Sequence, residues 1–369
     1  TSTLYLYSNG NSSITNISVV EVIDATNIPR IDYTDGTASI LLEPQSTNLI
    51  PYSEDFSDSS WGKNSGGIDV SIGNNGVNEN VAISADGTLN ADRINFLLQS
   101  DLDLGLGRTA TSSSGTTLSA SIWIKGEGDN IGKSIRFRLK RSSGGSYIGN
   151  DGVIELTSEW VRVEIDSLTL ITGNNGARLI FSSNDATSCL LYGAQVEALS
   201  YPTSYIPTSG AIATRLADRV TGAGDATTFN STEGVLYAEM AALADDGTDK
   251  VISLNSGSFN NRVQIGYTPV SNQLNAIVQS NGGFSFNATT ILADTTQINK
   301  IAIRYSLNDF SFWVNGVEVA TDTNGNTPIG LNSLDFNVSN LANFYGKVKA
   351  LAVFNEALTD SELECLTKI

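Results

Sequence analysis

The sequence contains no histidine, one methionine, two cysteines and seven prolines in 369 residues. Without histidine there is no Ser-His-Asp or Cys-His nucleophile system, no imidazole proton shuttle and no His-ligated zinc site. Two thiols make no disulfide framework. Cys189 lies in a strand-like run and Cys365 in the last turn of the chain, so both are expected unpaired and buried in different units. Charged residues make up only 16% of the chain, which argues against long helices rich in Lys and Glu. No run of about 18 apolar residues occurs, so membrane insertion is not expected. The opening TSTLYLYSNG has neither the charged nor the apolar region of a secretory signal, and the chain lacks an initiator Met, so it is expected to be a fragment or a processed product.

What charge there is runs strongly negative, at a formal −18. Such a field repels phosphate backbones and anionic membranes, so nucleic acid is not an expected partner, whereas solubility and Ca²⁺ or Mg²⁺ are favoured. Apolar residues still form 40% of the chain, enough for real cores. They alternate with polar ones at period two, bounded by Gly, Asn, Asp and Ser, in TLSASIWIK (117–125), SIRFRLK (134–140), WVRVEIDSL (160–168), GVLYAEMAAL (234–243), KIAIRYS (300–306) and FSFWVNGVEV (310–319). That pattern predicts half-buried antiparallel strands and an all-β protein of tandem sandwiches. One helix is expected, at the C-terminus. ALTDSELECL places Thr359 as N-cap, Glu362 as its capping-box partner, and Leu358 against Leu363 as a hydrophobic staple.

Prolines and small polar residues mark linkers at 25–36 and 201–222. The resulting division is a terminal hairpin of a preceding sandwich (1–24), a linker or extended segment (25–45), a first sandwich (46–208), a second linker (209–230) and a second sandwich (231–369). The hairpin assignment comes from an internal repeat: LYLYSNGNSSITNISVVEV (4–22) aligns with RLIFSSNDATSCLLYGAQVEA (178–198), matching Tyr7 to Phe181, Ser8 to Ser182 and Glu21 to Glu197.

The runs ILLEPQSTNLIPYSEDFSDSSWGK (40–63), DGTLNADRI (86–94), LSASIWIKG (118–126), EWVRVEI (159–165) and LYGAQVEALSYPTSYIPT (191–208) resemble a jelly-roll module of bacteriophage tail and other virion proteins. The module is similar to the carbohydrate-binding jelly rolls of secreted polysaccharidases. The C-terminal unit resembles a laminin-G-like, concanavalin-A-type sandwich, through EGVLYAEMA, FWVNGVEVA and GKVKALAVFNEALTDSELECL. Phage origin and a virion location, or alternatively a secreted one, are what the resemblance implies.

Several side-chain sets could carry binding. A hairpin of 117–125 with 134–140 would gather Trp123 and Lys125 beside Arg136, Arg138 and Lys140, with Trp160 and Arg162 on a third strand. A tryptophan among basic and hydroxyl groups suits a glycan: the ring stacks on the sugar's C–H face and the cations bind its hydroxyls, carboxylates or sulfates. The competing expectation is a solvated sheet face with Trp123 covered by its neighbours. Tyr267, Phe284, Phe286 and Trp313 are further aromatic candidates, against a packing role in the sandwich core. ADDGTDK (244–250) offers Asp245, Asp246 and Asp249 as oxygen ligands for a structural Ca²⁺, TDTNGNTP (321–328) offers Asp322, Asn324 and Asn326, and Glu54 with Asp55 could serve the jelly roll. None has EF-hand spacing, and solvated turns are the competing expectation.

Catalysis is not expected, the alternative being a glycosidase or a polysaccharide lyase that uses a tyrosine as its sole acid and base. The carboxylate pattern of retaining glycosidases is met only by Glu164-Ile165-Asp166, with Thr169 where the second Glu belongs, and the Q-[IV]-H strand of lyases only by Gln264-Ile265, with Gly266 in place of histidine. The reading is a non-catalytic virion or tail-fibre attachment protein, a homo-oligomer that contacts other virion subunits and binds host-surface polysaccharide by multivalent weak contacts. The alternatives are a structural or decoration protein of the particle, or an accessory glycan-binding module of a secreted polysaccharidase.

Overall fold

The computed structural model describes residues 30–34, 36–98, 100, 104–141, 152–338 and 341–369; the repeat in 4–22 lies outside them. The protein is all-β, with a single α-helix among the described residues, Asp360–Thr367.

The first sandwich stacks two five-stranded sheets. One has the order Val161–Thr169, Thr117–Lys125, Ser188–Glu197, Leu89–Asn95, Val77–Ile83. The other has the order Gly152–Glu155, Ser134–Arg141, Gly176–Ser182, Leu106–Thr111, Gly62–Lys63. Leu118, Ala120, Ile122 and Ile124 of the first sheet meet Ile135, Phe137 and Leu139 of the second in one core. Phe137 stacks on Phe181 at 5.1 Å, and Phe56 lies 4.9 Å from Trp61.

Each strand's buried face is therefore the one its alternation predicts, but the expected hairpin of 117–125 with 134–140 does not form. The two strands belong to opposite sheets. The connection between them, which includes the short 3₁₀ turn Gly128–Asn130, carries the chain across the core. Their apolar faces meet through the sandwich instead of lying side by side, an arrangement that buries both completely.

The second sandwich pairs a seven-stranded sheet with a five-stranded one. The larger runs Arg30–Asp32, Ser39–Leu42, Gly346–Phe354, Glu233–Ala242, Asn299–Ser306, Asp309–Val314, Val317–Asp322. The smaller runs Gly283–Ile291, Gln273–Ser280, Arg262–Tyr267, Lys250–Asn255, Ser333–Asp335. Its first two strands correct the domain division, because 30–42 is no linker. The turn closed by Gly36 (φ +79°) makes these residues a hairpin that covers the edge of Gly346–Phe354, pairing Ile40 with Val348 and burying Leu42 in the second core. An uncovered edge there would present unpaired backbone groups to other chains. The second linker is structured too: Ala213–Arg215 pairs with Ser46–Asn48, and Phe229 joins the second core.

The C-terminal helix has the expected capping box between Thr359 and Glu362. Its Leu363, flanked by Leu358, covers a small core with Val235, Tyr237 and Trp313. Trp313 is consequently buried and donates its indole N–H to Ser311 Oγ at 3.1 Å. Tyr267 is buried as well, donating its hydroxyl to the Met240 carbonyl at 3.0 Å. Both leave the list of glycan contacts: Trp313 lies on the outer face of the large sheet, where the helix covers it, and Tyr267 faces the core from the smaller sheet. Phe286 is core, whereas Phe284 is exposed. Cys189 is buried and unpaired, its thiol pushed well up by burial, but Cys365 is exposed, contrary to expectation, because its helix presents that position to solvent.

One buried charge cluster joins the parts. Glu43 receives the guanidinium of Arg30 and, at 3.0 Å, that of Arg215, while Asp218 lies 3.1 Å from Arg30 and accepts the Glu43 backbone N–H at 2.8 Å. The second Glu43 oxygen accepts the Ser204 N–H at 2.8 Å. Removing one partner from such a cluster leaves the opposite charges buried and uncompensated. Glu43→Ala should therefore destabilise the protein by about 3 kcal/mol, measured by urea denaturation, whereas replacing an exposed carboxylate such as Asp129 should change stability little.

Candidate functional site

The residues that carry the jelly-roll resemblance fasten the two ends of the first sandwich together. Buried Glu197 accepts from Ser46 Oγ at 2.6 Å, from Gln195 Nε2 at 2.6 Å and from the Thr203 N–H at 2.8 Å. Asn48 donates to the Ala194 and Ile206 carbonyls at 3.1 and 2.9 Å. Trp61 is buried in the core with its indole N–H on the Tyr52 carbonyl at 2.9 Å. Lys63 sends its ammonium to the carbonyls of Ser57 and Asp58, both at 2.8 Å. These groups close the fold and have no free valence for a ligand.

Beside this closure lies a polar pocket of about 290 Å³, whose walls include Tyr52, Glu54, Asp55, Asn80, Asn90 and Asp92. Glu54 accepts from Tyr205 Oη at 2.9 Å and from Asn90 Nδ2 at 3.0 Å. Both groups near Asn90 Nδ2 are carboxylates, Glu54 and, at 3.5 Å, Asp86, which fixes the orientation of the amide. The Asn90 Oδ1 atom is then left buried with no donor among the described residues. Asp92 is buried and accepts the backbone N–H groups of Asn80 and Phe56 at 2.8 and 3.0 Å. Burial pushes its carboxyl up to about 6, against those two donors and helped by the nearby charges of Asp55 and Glu79. The pocket is thus strongly acidic, walled by Glu54, Asp55, Glu79 and Asp92, with hydroxyl and amide groups from Tyr52, Asn80, Thr208 and Ser209.

The adjoining sheet face is aromatic. Trp123 lies opposite Arg162 on one neighbouring strand and Tyr192 on the other. Gly193, at φ +67° beside a register shift in its ladder, is the position over which these rings close: a Cβ there would meet Tyr205 at 3.2 Å and Trp123 at 3.4 Å. Tyr192 and Tyr205 are edge-on at 5.4 Å. Arg162 is spent on Ser121 Oγ at 2.9 Å and Glu164 at 2.8 Å. The tip of the hairpin joining Val77–Ile83 to Leu89–Asn95 folds over this face. Asp86 receives the Tyr192 hydroxyl at 2.9 Å, and Trp160 donates to the Ile83 carbonyl at 3.0 Å. Partial burial opposes it, but hydrogen bonds from Ser84, Thr88 and Tyr192 hold the Asp86 carboxyl well below the ordinary range. Trp123 and Lys125 are left half-buried, so the cover expected as the competing reading is present.

Arg136, Arg138 and Lys140 are not beside Trp123. They occupy the outer face of the opposite sheet, where Lys140 pairs with Arg178, Arg138 with Ile180 and Arg136 with Ser182, and none of the three is a free cation. The basic-aromatic stripe is divided by the full thickness of the sandwich. The acidic loops do not assemble a metal centre either. Asp245 is turned to Ser271 and to the Asn272 N–H, Asp246 is paired with Lys250 at 2.6 Å, and Asp322 caps the Asn324 N–H at 2.9 Å. Asp55 spends one oxygen on the backbone N–H groups of Ser57 and Asp58, both at 3.0 Å. Among the described residues no three His, Cys, Asp or Glu side chains are grouped to hold a metal ion, at Asp245, Asp246 and Asp249 or at Glu54 and Asp55. Sequence reasoning missed Asn90, Asp92, Tyr192 and Tyr205, although all four lie in the segments that carry the resemblance. Short-range pattern has no means of bringing 52–55, 80–92 and 205–209 to one pocket.

Residues 223–364 match the Laminin_G_3 family, described as the concanavalin A-like lectin/glucanases superfamily. The second sandwich is therefore similar to laminin-G-like, concanavalin-A-type domains, as the sequence resemblance implied. Among solved structures, the CBM40 module of the Ruminococcus gnavus IT-sialidase, bound to α2,3-sialyllactose, is similar over 40% of this chain and 96% of its own, at 16% identity and a TM-score of 0.34. Domains LG4-5 of the mouse laminin α1 chain are similar over 67% of this chain and 86% of theirs, at 10% identity and a TM-score of 0.27. The heptameric SAP-like pentraxin of Limulus polyphemus is similar over 37% of this chain and 70% of its own, at 14% identity and a TM-score of 0.31. No curated protein sequence matches the chain.

The Asp92 environment gives a signed pH effect. Its folded value of about 6 lies above the ordinary 3.8, so the stability it contributes is fully present below 3.8 and lost as pH rises through about 6. Asp92→Asn should gain on the wild type by on the order of 3 kcal/mol as pH rises from about 3.5 to about 7.5, as read by urea denaturation at each pH.

Proposed function

We propose that the protein is a non-catalytic glycan-binding component that works outside cells. The observation that carries this reading is the polar pocket walled by the carboxylates of Glu54, Asp55, Glu79 and Asp92. Glu54, Asp55 and Glu79 offer carboxylate acceptors, and sugar hydroxyls are donors to such groups. Tyr52 adds an aromatic wall of the kind that meets a pyranose C–H face. The carboxylates select against uronic, sialic and sulfated sugars, which reverses the anionic preference that the basic stripe suggested. The similarity of the second sandwich to lectin-type domains supports the same class of ligand.

Neither partial catalytic pattern is completed: Glu164 is paired with Arg162, and Gln264 accepts from Arg262 Nε at 2.7 Å. A binding role is therefore favoured over hydrolysis or elimination. The finer reading is attachment of a phage particle to host-surface polysaccharide, by an oligomer whose weak single sites add through multivalency. It rests on the sequence resemblance in 40–63 and 191–208.

A glycan array should show wild-type binding to neutral glycans and none to sialylated or sulfated ones. Glu54→Gln, which keeps the side-chain shape and removes the charge, should weaken that binding about tenfold. Binding of anionic glycans that survives Glu54→Gln would sink the proposal.

A further inference from the structure

The seam between the two sandwiches holds a second concave site. A cavity of about 500 Å³ takes Pro44, Leu199 and Tyr201 from the first sandwich and its approaches, and Asp249, Asn343 and Tyr345 from the second. Tyr201 also lines a cleft of about 320 Å³ on its other side. Two tyrosines and aliphatic side chains supply ring faces and apolar floor, while Asp249, Thr248 and Asn343 supply polar groups at the same cavity. Apolar faces with a few convergent polar groups suit a ligand that has both a C–H face and hydroxyl edges.

The charges of the cavity define which such ligand. Asp246 is already neutralised by buried Lys250 at 2.6 Å. Asp249 is exposed and forms no ion pair among the described residues, so it is an available acceptor that repels anions. In the adjoining cleft the cations are likewise answered within the site, Lys347 by Asp32 at 2.5 Å and Arg162 by Glu164 at 2.8 Å. The linings themselves therefore offer a uronate or a sulfate no unpaired cation; exposed Arg219 stands near Tyr345 but outside both linings. Two cavities that share one tyrosine wall favour a chain of sugars over a single ring.

The walls are also held before any ligand arrives. Pro44 follows the buried Glu43, and its carbonyl accepts from Arg215 Nη2 at 3.0 Å. Preformed walls lower the ordering cost of binding. We infer that the seam between the sandwiches is a second carbohydrate site, built jointly by both, that takes an uncharged oligosaccharide. The inference shares its ligand class with the function proposed above, but uses different residues and is tested by different variants.

The test is ¹⁹F NMR of the full chain labelled with 3-fluorotyrosine, titrated with maltohexaose, cellohexaose, laminarihexaose and chitohexaose, and with hexagalacturonate as the anionic probe. Tyr201→Phe and Tyr345→Phe assign the resonances. At least one neutral hexasaccharide should shift the Tyr201 and Tyr345 signals, and hexagalacturonate should not. Tyr345→Ala should weaken binding about tenfold. Asp249→Ala, at an exposed position, should weaken it severalfold, and Glu54→Gln should leave the Tyr201 and Tyr345 shifts unchanged while weakening binding at the first pocket. Loss of binding in Glu54→Gln with none in Tyr345→Ala or Asp249→Ala would overturn the seam site and leave the jelly-roll pocket standing. Seam shifts without any effect of Glu54→Gln on other glycans would do the reverse. The absence of any shift at Tyr201 and Tyr345 across the neutral panel, or equal binding of hexagalacturonate, would also overturn the inference.

Discussion

Glu43 is the point at which the molecule is tied. It stands between the hairpin that precedes the first sandwich and the strands that begin it, and it holds Arg30 from the former and Arg215 from the segment that leaves the sandwich. Asp218 balances the second arginine charge and fixes the Glu43 backbone. A carboxylate so placed is costly to bury alone, so the arginines must stay, and with them the three chain segments that carry them. The consequence is topological. The chain completes an edge of the second sandwich before it builds the first, and the two sandwiches cannot be cut apart at a linker.

That tie also explains why the recognisable sequence features are silent chemically. Asn48, Trp61, Gln195 and Glu197 lie in the segments on which the sequence resemblance rests, and each is consumed in closing the sandwich ends. Groups left with unmet capacity lie next to them, on segments brought in from elsewhere. Asn90 keeps a donorless oxygen because Glu54 and Asp86 claim its amide hydrogens, and Asp92 keeps an unusual proton affinity because the chain folds over it. The scaffold is satisfied, and the pocket beside it is not.

Charge follows the same division. The chain is acidic overall, and its arginines and lysines are mostly answered by carboxylates or carbonyls close by, as with Lys63, Arg162 and Lys250. Both cavities are consequently framed by acceptors. A ligand that donates hydrogen bonds without carrying negative charge matches both.

Much of this was legible in the sequence. Period-two alternation determined the all-β class and which side chains of 117–125 and 134–140 face the core, and the spacing of Thr359, Glu362 and Leu363 determined the helix and its cap. These are local properties, set by the pleat of a strand and the reach of one helical turn. Which strands pair is not local. Placing Trp123 and Arg138 on opposite sheets, burying Trp313 under a helix from the far end of the chain, and gathering Glu54, Asn90 and Tyr205 at one pocket all depend on contacts between distant segments. Only the tertiary structure decided those. Alternation specifies a face but not a partner, and in a sandwich two apolar faces are buried equally well whether their strands lie side by side or meet across the core.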